Sequence, residues 1–202
     1  MLFFTNGLPY FCKKKLELET IVTETVTTLE GGGIIVFPTD TVWGIGGDAR
    51  DAEVVSKIYT LKNRVQSKAL LCLMQDIDMV ADYFGRIPEK AITYFNDQRP
   101  TTVILDGPKG IAKNMIASDN SLAVRIPQDP FCQSLIKTFG HPIIATSANT
   151  SGQPTPQQYS EIESSVLAGV DYVVPLKQEQ LMTKPSRIVK VTTEGICTVI
   201  RA

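Results

Sequence analysis

Histidine is almost absent from this sequence of 202 residues, which contains only His141. Its four cysteines, Cys12, Cys72, Cys132 and Cys197, form no C-x-x-C pair. A zinc centre needs several such ligands in one place, so the composition argues against a zinc site. Isolated cysteines in apolar segments are typical of reduced thiols, and they indicate a reducing cytoplasm.

Long hydrophobic runs are also missing. The longest, such as residues 34–37 and 69–74, are far shorter than the roughly 20 apolar residues of a membrane-spanning helix. Residues 1–11 are apolar but precede the basic residues 13–15, which reverses the order found in a secretory signal. We expect neither export nor a membrane partner. Residues 1–15 are predicted to be a leader of uncertain structure before one domain at 16–202, with membrane-surface contact of the leader as the alternative.

Charge of one sign is not in excess, because 20 basic and 21 acidic residues give a net charge of -1. Such a chain lacks the overall field that attracts phosphates nonspecifically, so any contact with nucleic acid requires a local basic patch. The hydrophobic share of 43% is that of a globular protein and excludes a disordered chain.

Apolar spacing predicts alternating helices and strands. Helices are predicted at 18–30, 51–63, 76–84, 88–95, 129–139 and 157–167, and strands at 34–37, 69–74, 101–105, 122–126, 142–145, 171–174, 187–191 and 196–200. The closing strands are too close in sequence for helical crossovers, so some must form a hairpin, which predicts an α/β fold with a mixed sheet. Residues 151–158, with two prolines, are the best candidate for a mobile loop.

One glycine-rich segment, residues 44–49, satisfies the dinucleotide-binding pattern G-x-G-x-x-G/A. In a dinucleotide fold these glycines follow their strand directly, whereas residues 38–43 intervene here and no acid lies about twenty positions further on. We therefore reject this interpretation. No G-x-x-x-x-G-K-[ST] segment is present, so a bound triphosphate would have to be met by separate cations and hydroxyls.

Two segments contain such groups close together. Lys62, Arg64 and Lys68 lie at the exit of a predicted helix, where an ordinary solvated helix end is the alternative explanation. Ser147 and Asn149 follow a predicted strand, at the position where open α/β sheets hold ligands, although the same residues are common in turns. Ser147 is not expected to be a nucleophile, because its segment lacks G-x-S-x-G and the sole imidazole precedes the same strand.

Two further groups are more separated. Ser121 and Arg125 are four residues apart, which places both on one face of a predicted strand. An arginine that faces inward among apolar residues requires an anion, either a ligand or a carboxylate of the protein. Ser186 lies at the start of a late strand, and Arg201 lies at the very end of the sequence, where an arginine is usually solvated.

Taken together, these segments resemble the motifs of one family. Residues 38–44, P-T-D-T-V-W-G, are similar to its P-T-[ED]-T-x-[YFW]-G, and K-N-R at 62–64 with Lys68 is similar to its K-x-R element. The segments V-R-I-P at 124–127, S-A-N-T-S-G at 147–152 and P-S at 185–186 resemble three further motifs. With these five motifs in order, the chain is identified as a member of the YrdC-like family of threonylcarbamoyl-AMP synthases.

The resemblance implies a twisted mixed sheet flanked by helices with a large concave cavity, in the short form without a C-terminal extension domain. It implies that the amine of L-threonine takes up CO₂ from bicarbonate, and that the resulting carbamate attacks the α-phosphorus of ATP and expels pyrophosphate. The product, threonylcarbamoyl-AMP, feeds t6A modification of tRNA through downstream transfer proteins. Such a reaction needs positioned charges more than a covalent nucleophile.

The same resemblance implies a role for each candidate residue. Lys62 and Arg64 would be catalytic by neutralising the triphosphate, with Mg²⁺ supplying the remaining charge and no metal ligand from the protein. The ATP-binding residues would be Arg64, Lys68, Ser121, Asn149 and Arg201, and the threonine-binding residues Thr41, Arg125, Ser147 and Ser186. Loss of Lys62 or Arg64 would reduce synthesis at least about tenfold and leave the fold intact, since each is taken as an exposed cavity charge.

Several positions depart from the family, and two of them bear on the choice of substrate. Arg187 and Lys190 stand where threonine and aspartate are frequent, so a changed amino-acid preference is one interpretation. Two other functions remain as alternatives, a module that binds double-stranded RNA or tRNA directly, and a paralogue that makes another carbamoyl adenylate. The slightly negative net charge and the lack of aromatic residues within the basic cluster disfavour the first.

Overall fold

The computed structural model describes residues 10–64 and 70–202, with the side chains of 14–64 and 70–202. In this part of the chain, helices flank a single mixed sheet of nine strands. The helices are α1 Tyr10–Glu30, α2 Ala52–Leu61, α3 Ile77–Phe84, α4 Glu89–Phe95, α5 Pro130–Phe139 and α6 Ser164–Ala168. The strands are β1 Ile35–Phe37, β2 Gly44–Gly46, β3 Leu71–Leu73, β4 Thr101–Asp106, β5 Ser121–Arg125, β6 Ile143–Ser147, β7 Tyr172–Val173, β8 Arg187–Val191 and β9 Cys197–Arg201.

The strands lie in the order β7-β1-β2-β6-β3-β5-β4-β8-β9. Three neighbouring pairs are parallel, β7 with β1, β3 with β5 and β4 with β8, and the others are antiparallel. The predicted hairpin is formed by β8 and β9. The predicted mixed sheet with flanking helices is therefore confirmed.

Most predicted elements are found, and local capping explains several boundaries. Asp51 accepts hydrogen bonds from the amides of Glu53 and Val54 and so begins α2, while Pro130 occupies the first turn of α5. α1 begins at Tyr10, earlier than the predicted residue 18. The predicted helix at 157–167 is wrong: a 3-10 turn and α6 occupy the segment, separated by the extended residue Ile162.

Strand β2 was missed, because its sequence Gly-Ile-Gly indicates a loop. The structure explains these glycines by close packing, since β2 is squeezed between β1 and β6. A Cβ on Gly46 would lie 2.6 Å from Cε1 of Phe37 and 2.8 Å from the carbonyl oxygen of Ile144. A glycine inside a strand often marks such a close approach.

The two faces of the sheet carry separate cores. On one face, α2, α3, α4 and α6 pack over inward side chains such as Ile45, Val124 and Val189. On the other face, α1 and α5 pack over Phe37 and Ile143. Among the described residues, no helix is both long and apolar enough to cross a membrane.

Helices α1 and α5 cover only part of their face. Arg125 is paired with Leu73, and Leu73 belongs to the core beneath α1 and α5, so both residues point to the same side. Ala123 and Ile104 are paired with each other and extend that side across β5 and β4. These positions line an open cavity instead of a helix interface. The partial coverage of one face therefore forms the concave surface on which the candidate site lies.

We predict that Gly46→Ala destabilises the protein. The new methyl group would meet Phe37 and a backbone carbonyl, and such overpacking costs about 2–3 kcal/mol of unfolding free energy. Gly31→Ala is the matched control, because its Cβ would find only ordinary contacts at 3.5 Å. Urea unfolding of the three proteins measures the effect, and an equal stability for Gly46→Ala and Gly31→Ala would contradict the packing argument.

Candidate active site

The open cavity has a volume of about 470 Å³, within the range of small-molecule sites. Strands β3, β5, β4 and β8 form its floor. Its walls are formed by Arg64, Leu70, the end of β9 and residues from the segments 39–44, 145–147, 155–157 and 182–186. Among the described lining residues there are three guanidinium groups, eight hydroxyl side chains and no carboxylate. The guanidinium groups are those of Arg64, Arg125 and Arg201. This charge distribution is suited to an anionic ligand.

Arg125 ends β5 and is only 3% exposed. Its Nη1 donates a hydrogen bond to Oγ1 of Thr41 at 2.5 Å and lies 3.3 Å from Oδ1 of Asp40. The protein carboxylate considered as an alternative partner is therefore present. However, Nε of Arg125 is buried without a hydrogen-bond partner. One edge of the guanidinium is thus fixed by protein atoms, while a donor at another edge has no acceptor from the chain.

Asp40 was not selected from the sequence, although it lies inside the P-T-D-T segment. Its Oδ2 accepts a hydrogen bond from the amide of Gln128 at 3.2 Å, which connects the loop after β1 to the end of β5. The hydroxyl of Thr39 holds the same loop by accepting from the amides of Thr41 and Val42. Asp40 thus fixes the position of Arg125, and the signal for it was the acidic position within the motif.

Lys62 occupies a different environment from the exposed cavity position that was predicted. It is 1% exposed, does not line the cavity, and its Nζ donates to the carbonyl oxygens of Ser147 and of Asn149, the latter at 2.5 Å. The carbonyl of Lys62 accepts from the amide of Ser151 at 2.8 Å. The assignment of Lys62 as an exposed charge is therefore wrong, because its ammonium is used to hold the loop after β6.

The two cations of the K-x-R segment, Lys62 and Arg64, lie in different electrostatic environments. Burial, and after it the charge of Arg64, lower the pKa of Lys62 to about 8, while the charge of Glu163 opposes both effects. Arg64 lines the cavity, and burial lowers the pKa of its guanidinium. Of the two, Arg64 is placed to meet a ligand. Lys68 lies outside the described residues.

The residues after β6 divide between the cavity and the loop. Ser147 lines the cavity, as predicted from its position after a strand. Asn149 is 8% exposed and is not in the lining. Its Nδ2 donates to the carbonyls of Thr150 and Gln153, while Oδ1 is buried without a partner. Asn149 therefore stiffens its loop and retains one unused acceptor.

The opposite wall contains Ser186 and Arg201. The hydroxyl of Ser186 lies 2.8 Å from Oγ1 of Thr102, and its carbonyl accepts from both Nε and Nη2 of Arg201 at 3.0 and 2.6 Å. Burial and the charge of Arg125 lower the pKa of Arg201. The two arginines therefore act on the same region of the cavity, and Thr102 joins them as a lining residue that the sequence did not indicate.

Ser121 does not reach the cavity. It lies at the other end of β5 from Arg125, where its hydroxyl donates to Oδ1 of Asp119 at 2.6 Å. The prediction that the two residues share a face took no account of their distance along the strand. The structure therefore does not bring Ser121 together with the other candidate residues.

Arg187 and Lys190, two of the departures from the family, are also absent from the cavity lining. Arg187 donates to Asp97 and lies 4.7 Å from the centre of the Tyr94 ring, while Lys190 is ion-paired with Asp119. Neither contact involves a lining residue. The inference that these substitutions change the amino-acid preference therefore loses its direct basis.

Two loops complete the rim. Thr155 and Gln157 come from the predicted mobile loop, and Met182 comes from the segment before β8. The carbonyl of Gln157 accepts from the amide of Met182 at 2.6 Å, which joins the two loops. In the described part of the chain, histidine, cysteine and acidic side chains form no group of three that could hold a metal ion.

Comparison with known proteins gives the relationship of this chain. A family model, Sua5/YciO/YrdC, described as "Telomere recombination", matches residues 27–202. The chain belongs to the Sua5/YciO/YrdC family. The motifs of residues 38–44, 62–64, 124–127, 147–152 and 185–186 all fall inside the matched region.

Three members show how far the similarity extends. A threonylcarbamoyl-AMP synthase of Bacillus subtilis is 32% identical over 70% of this chain, and the match spans 42% of its own length. A protein of the same name from Hahella chejuensis is 29% identical over 87% of the chain and 96% of its own length. The crystal structure of P. abyssi Sua5 complexed with L-threonine is similar with a TM-score of 0.76, 23% identity, and coverage of 86% of this chain and 51% of that one.

We predict that Lys62→Ala destabilises this family member. Two backbone carbonyls would lose a charged donor, which costs about 2–4 kcal/mol of unfolding free energy. Lys57→Ala on the same helix is the control, because Lys57 is exposed and reaches only the carbonyl of Gly32 at 3.4 Å. Urea unfolding at pH 7 should separate the two variants.

The pH dependence of stability provides a second measurement of the same group. The folded-state pKa of Lys62, about 8, lies below the ordinary value of 10.5. Between these values the unfolded chain binds the additional proton, so the stability of the wild type relative to Lys62→Ala should rise from pH 8 towards 10.5 and stay constant below pH 8. A constant difference across this range would show that Lys62 keeps its ordinary pKa.

Proposed function

We propose that this chain is an L-threonylcarbamoyl-AMP synthase that acts in the cytoplasm and converts L-threonine, bicarbonate or CO₂, and ATP into threonylcarbamoyl-AMP and pyrophosphate. The observation that carries the proposal is the cavity with three guanidinium groups, many hydroxyls and no carboxylate in its described lining. The carboxylate of threonine, the carbamate and the triphosphate of ATP are all negatively charged. The names of the curated relatives support the same reaction.

The threonine end is proposed to lie at Arg125. Its fixed guanidinium would bind the threonine carboxylate or the carbamate, and an arginine suits such groups because its donors form a planar fork. Thr41, Ser147 and Ser186 would bind the polar edges of the amino acid. P. abyssi Sua5, which shares the fold, has been crystallised in complex with L-threonine, and this supports threonine as a ligand of the present chain.

The nucleotide end is proposed to lie between Arg64, Arg201 and the loop that carries Asn149. Arg64 would neutralise phosphate charge, and Lys62 would act through the loop. None of the described lining residues is a carboxylate, so Mg²⁺ would reach the cavity on the phosphate oxygens of ATP, as is usual for this ion. When bound, the ion would supply further positive charge for the transferring phosphoryl group.

The proposed reaction has two steps. The neutral amine of threonine adds to CO₂ and gives up a proton, which forms the carbamate. A carbamate oxygen then attacks the α-phosphorus of ATP as the bond to pyrophosphate breaks. These steps require reactants held in line and stabilisation of the leaving charge, which arginines and hydroxyls supply without a covalent nucleophile. The product would then be used by tRNA-modifying proteins.

Direct binding of double-stranded RNA or tRNA remains a second candidate function, because the cavity contains cations. The burial of Arg125 argues against it as the main activity. A phosphate backbone is bound by accessible cations, whereas this guanidinium can be reached only by a small group that enters the cavity.

A direct assay tests the proposal. Purified protein is mixed with ATP, Mg²⁺, bicarbonate and each amino acid in turn, and pyrophosphate and the carbamoyl adenylate are measured. We expect threonine-dependent formation of both products. Product formation with another amino acid would indicate a paralogous synthase, and tight salt-sensitive RNA binding without product would favour the RNA-binding function.

We predict that Arg125→Lys raises the KM for threonine by about 10- to 100-fold, because lysine keeps the charge but loses the planar fork. The KM for ATP should change much less, since its proposed contacts lie elsewhere in the cavity.

Arg64→Ala should instead reduce the rate of synthesis at least about tenfold. Arg86→Ala serves as the control because Arg86 is exposed and outside the cavity lining. Initial-rate kinetics measure the effects. The site assignment would be contradicted if Arg125→Lys and Arg64→Ala had the same kinetic constants as the wild type and the Arg86→Ala control.

A further inference from the structure

We propose that Glu163 is a positioning residue for the nucleotide, acting on the loop 147–152, which Lys62 also holds through other atoms. This inference rests on the proposed function, because it concerns the ATP end of the same cavity. Glu163 immediately precedes α6, outside the motifs that identify the family, and it does not line the cavity. Its effect on a ligand must therefore pass through the loop.

The carboxylate of Glu163 forms its hydrogen bonds with Thr150. Oε1 of Glu163 accepts from the Thr150 amide at 3.1 Å and from its hydroxyl at 2.8 Å, and Oε2 lies 3.1 Å from that hydroxyl. A carboxylate that accepts from a backbone amide and a hydroxyl together fixes both the backbone and the side chain of that residue. Thr150 directly follows Asn149, so the end of the S-A-N segment is held in place.

Lys62 holds the same loop by different atoms. Its ammonium donates to the carbonyls of Ser147 and Asn149, and its own carbonyl accepts from the amide of Ser151. The carbonyl groups of the loop are thus bound by a cation and one of its amides by an anion. This arrangement determines the backbone between Ser147 and Ser151, and with it the direction of the Asn149 side chain.

The two charged residues also depend on each other. The charged groups that act on the Lys62 ammonium are Arg64, which disfavours its protonated form, and Glu163, which favours it. Without Glu163, the remaining influences on Lys62 would be its burial and the charge of Arg64, and both of these lower its pKa. A deprotonated Lys62 would donate more weakly to the two carbonyls. Glu163 thus stabilises the loop directly through Thr150 and indirectly through the charge on Lys62.

The consequence for binding follows from two unused polar atoms. Oδ1 of Asn149 and Oγ of Ser151 are buried without hydrogen-bond partners. Neither residue lines the cavity, but a loop already fixed in one conformation needs no further ordering, and loses no entropy for it, when a ligand binds beside it. Ser147, proposed to bind the amino acid, is also held in the sheet by its pairing with Gly44, so loosening the loop at Thr150 should weaken ATP binding before it affects the bound amino acid.

The experiment compares Glu163→Ala, Glu163→Gln and the control Glu30→Gln, an exposed acid at the end of α1. KM and kcat are measured for ATP and threonine from pH 6.5 to 9.5. For Glu163→Ala we expect the KM for ATP to rise about tenfold and the KM for threonine to change less than about twofold. Glu163→Gln retains an acceptor for Thr150 and should show a smaller rise at pH 7.

The pH profile separates the positioning role from a general loss of stability. In the wild type, the KM for ATP should rise above pH 8 as Lys62 loses its proton, and in Glu163→Gln this rise should begin at lower pH. A variant that is merely less stable would show fewer active molecules, with unchanged KM and an unchanged profile. That result, or a tenfold rise in KM for both substrates, would overturn the inference.

Failure of the proposed function would be recognised separately. If the wild type forms no carbamoyl adenylate with any amino acid, calorimetry with Mg-ATP and hydrogen exchange at the amides of Thr150 and Ser151 test the inference. Weaker Mg-ATP binding and faster exchange at both amides in Glu163→Ala would support it. Equal affinity in Glu163→Ala and the control, or absence of Mg-ATP binding by the wild type, would overturn it.

Discussion

The buried ammonium of Lys62 is the interaction on which the cavity wall depends. Ser147 and Asn149 face the end of α2 with their carbonyls, and these groups would be costly to bury without a donor. A charged donor can satisfy both carbonyls at once. The cost is the burial of a charge, which appears as the lowered pKa of Lys62. Burial of the Lys62 charge is therefore unfavourable in itself, but it fixes the polar loop beside the cavity.

The cavity itself results from the unequal coverage of one sheet face. Beneath α1 and α5, the sheet presents apolar residues such as Phe37 and Ile143. Further along the same face, polar residues replace them, including Arg125 on β5 and Thr102 on β4. A helix could not pack over these groups without leaving them unpaired. The same alternation of side chains that forms the core thus leaves a polar concave surface where the helices end.

Sequence patterns predicted the fold well wherever short-range physics determines the element. Helix α2 follows from its Asp51 cap, and the hairpin of β8 and β9 follows from the short connection between them. Strand β2 could not be predicted in this way, because its glycines are required by contacts with Phe37 and Ile144 that are distant in sequence. Propensity describes the isolated segment, whereas these contacts exist only after the sheet has formed.

The candidate site shows the same limit. The motifs correctly indicated Arg125 and Ser147 as lining residues, but their spacing cannot give depth or position along a strand. Ser121 lies about 13 Å along β5 from Arg125, at roughly 3.3 Å per residue, and so misses the cavity. Lys62 and Arg64 are two residues apart, yet only Arg64 lines the cavity. Adjacent positions at a helix end point in different directions, and only the fold decides which one is enclosed.

The distribution of charge explains how a chain with a net charge of -1 can still bind anions. Its described cavity lining contains three guanidinium groups and no carboxylate. Asp40 offsets part of this charge at Arg125, 3.3 Å from its Nη1, and the other two guanidinium groups are those of Arg64 and Arg201. Arg187 and Lys190 pair with Asp97 and Asp119 outside the lining, and these pairs do not offset the cavity charge locally. The field is therefore concentrated within a recess, where a low-dielectric wall strengthens it. Such a field favours a small, multiply charged ligand that enters the recess over an extended polyanion that cannot.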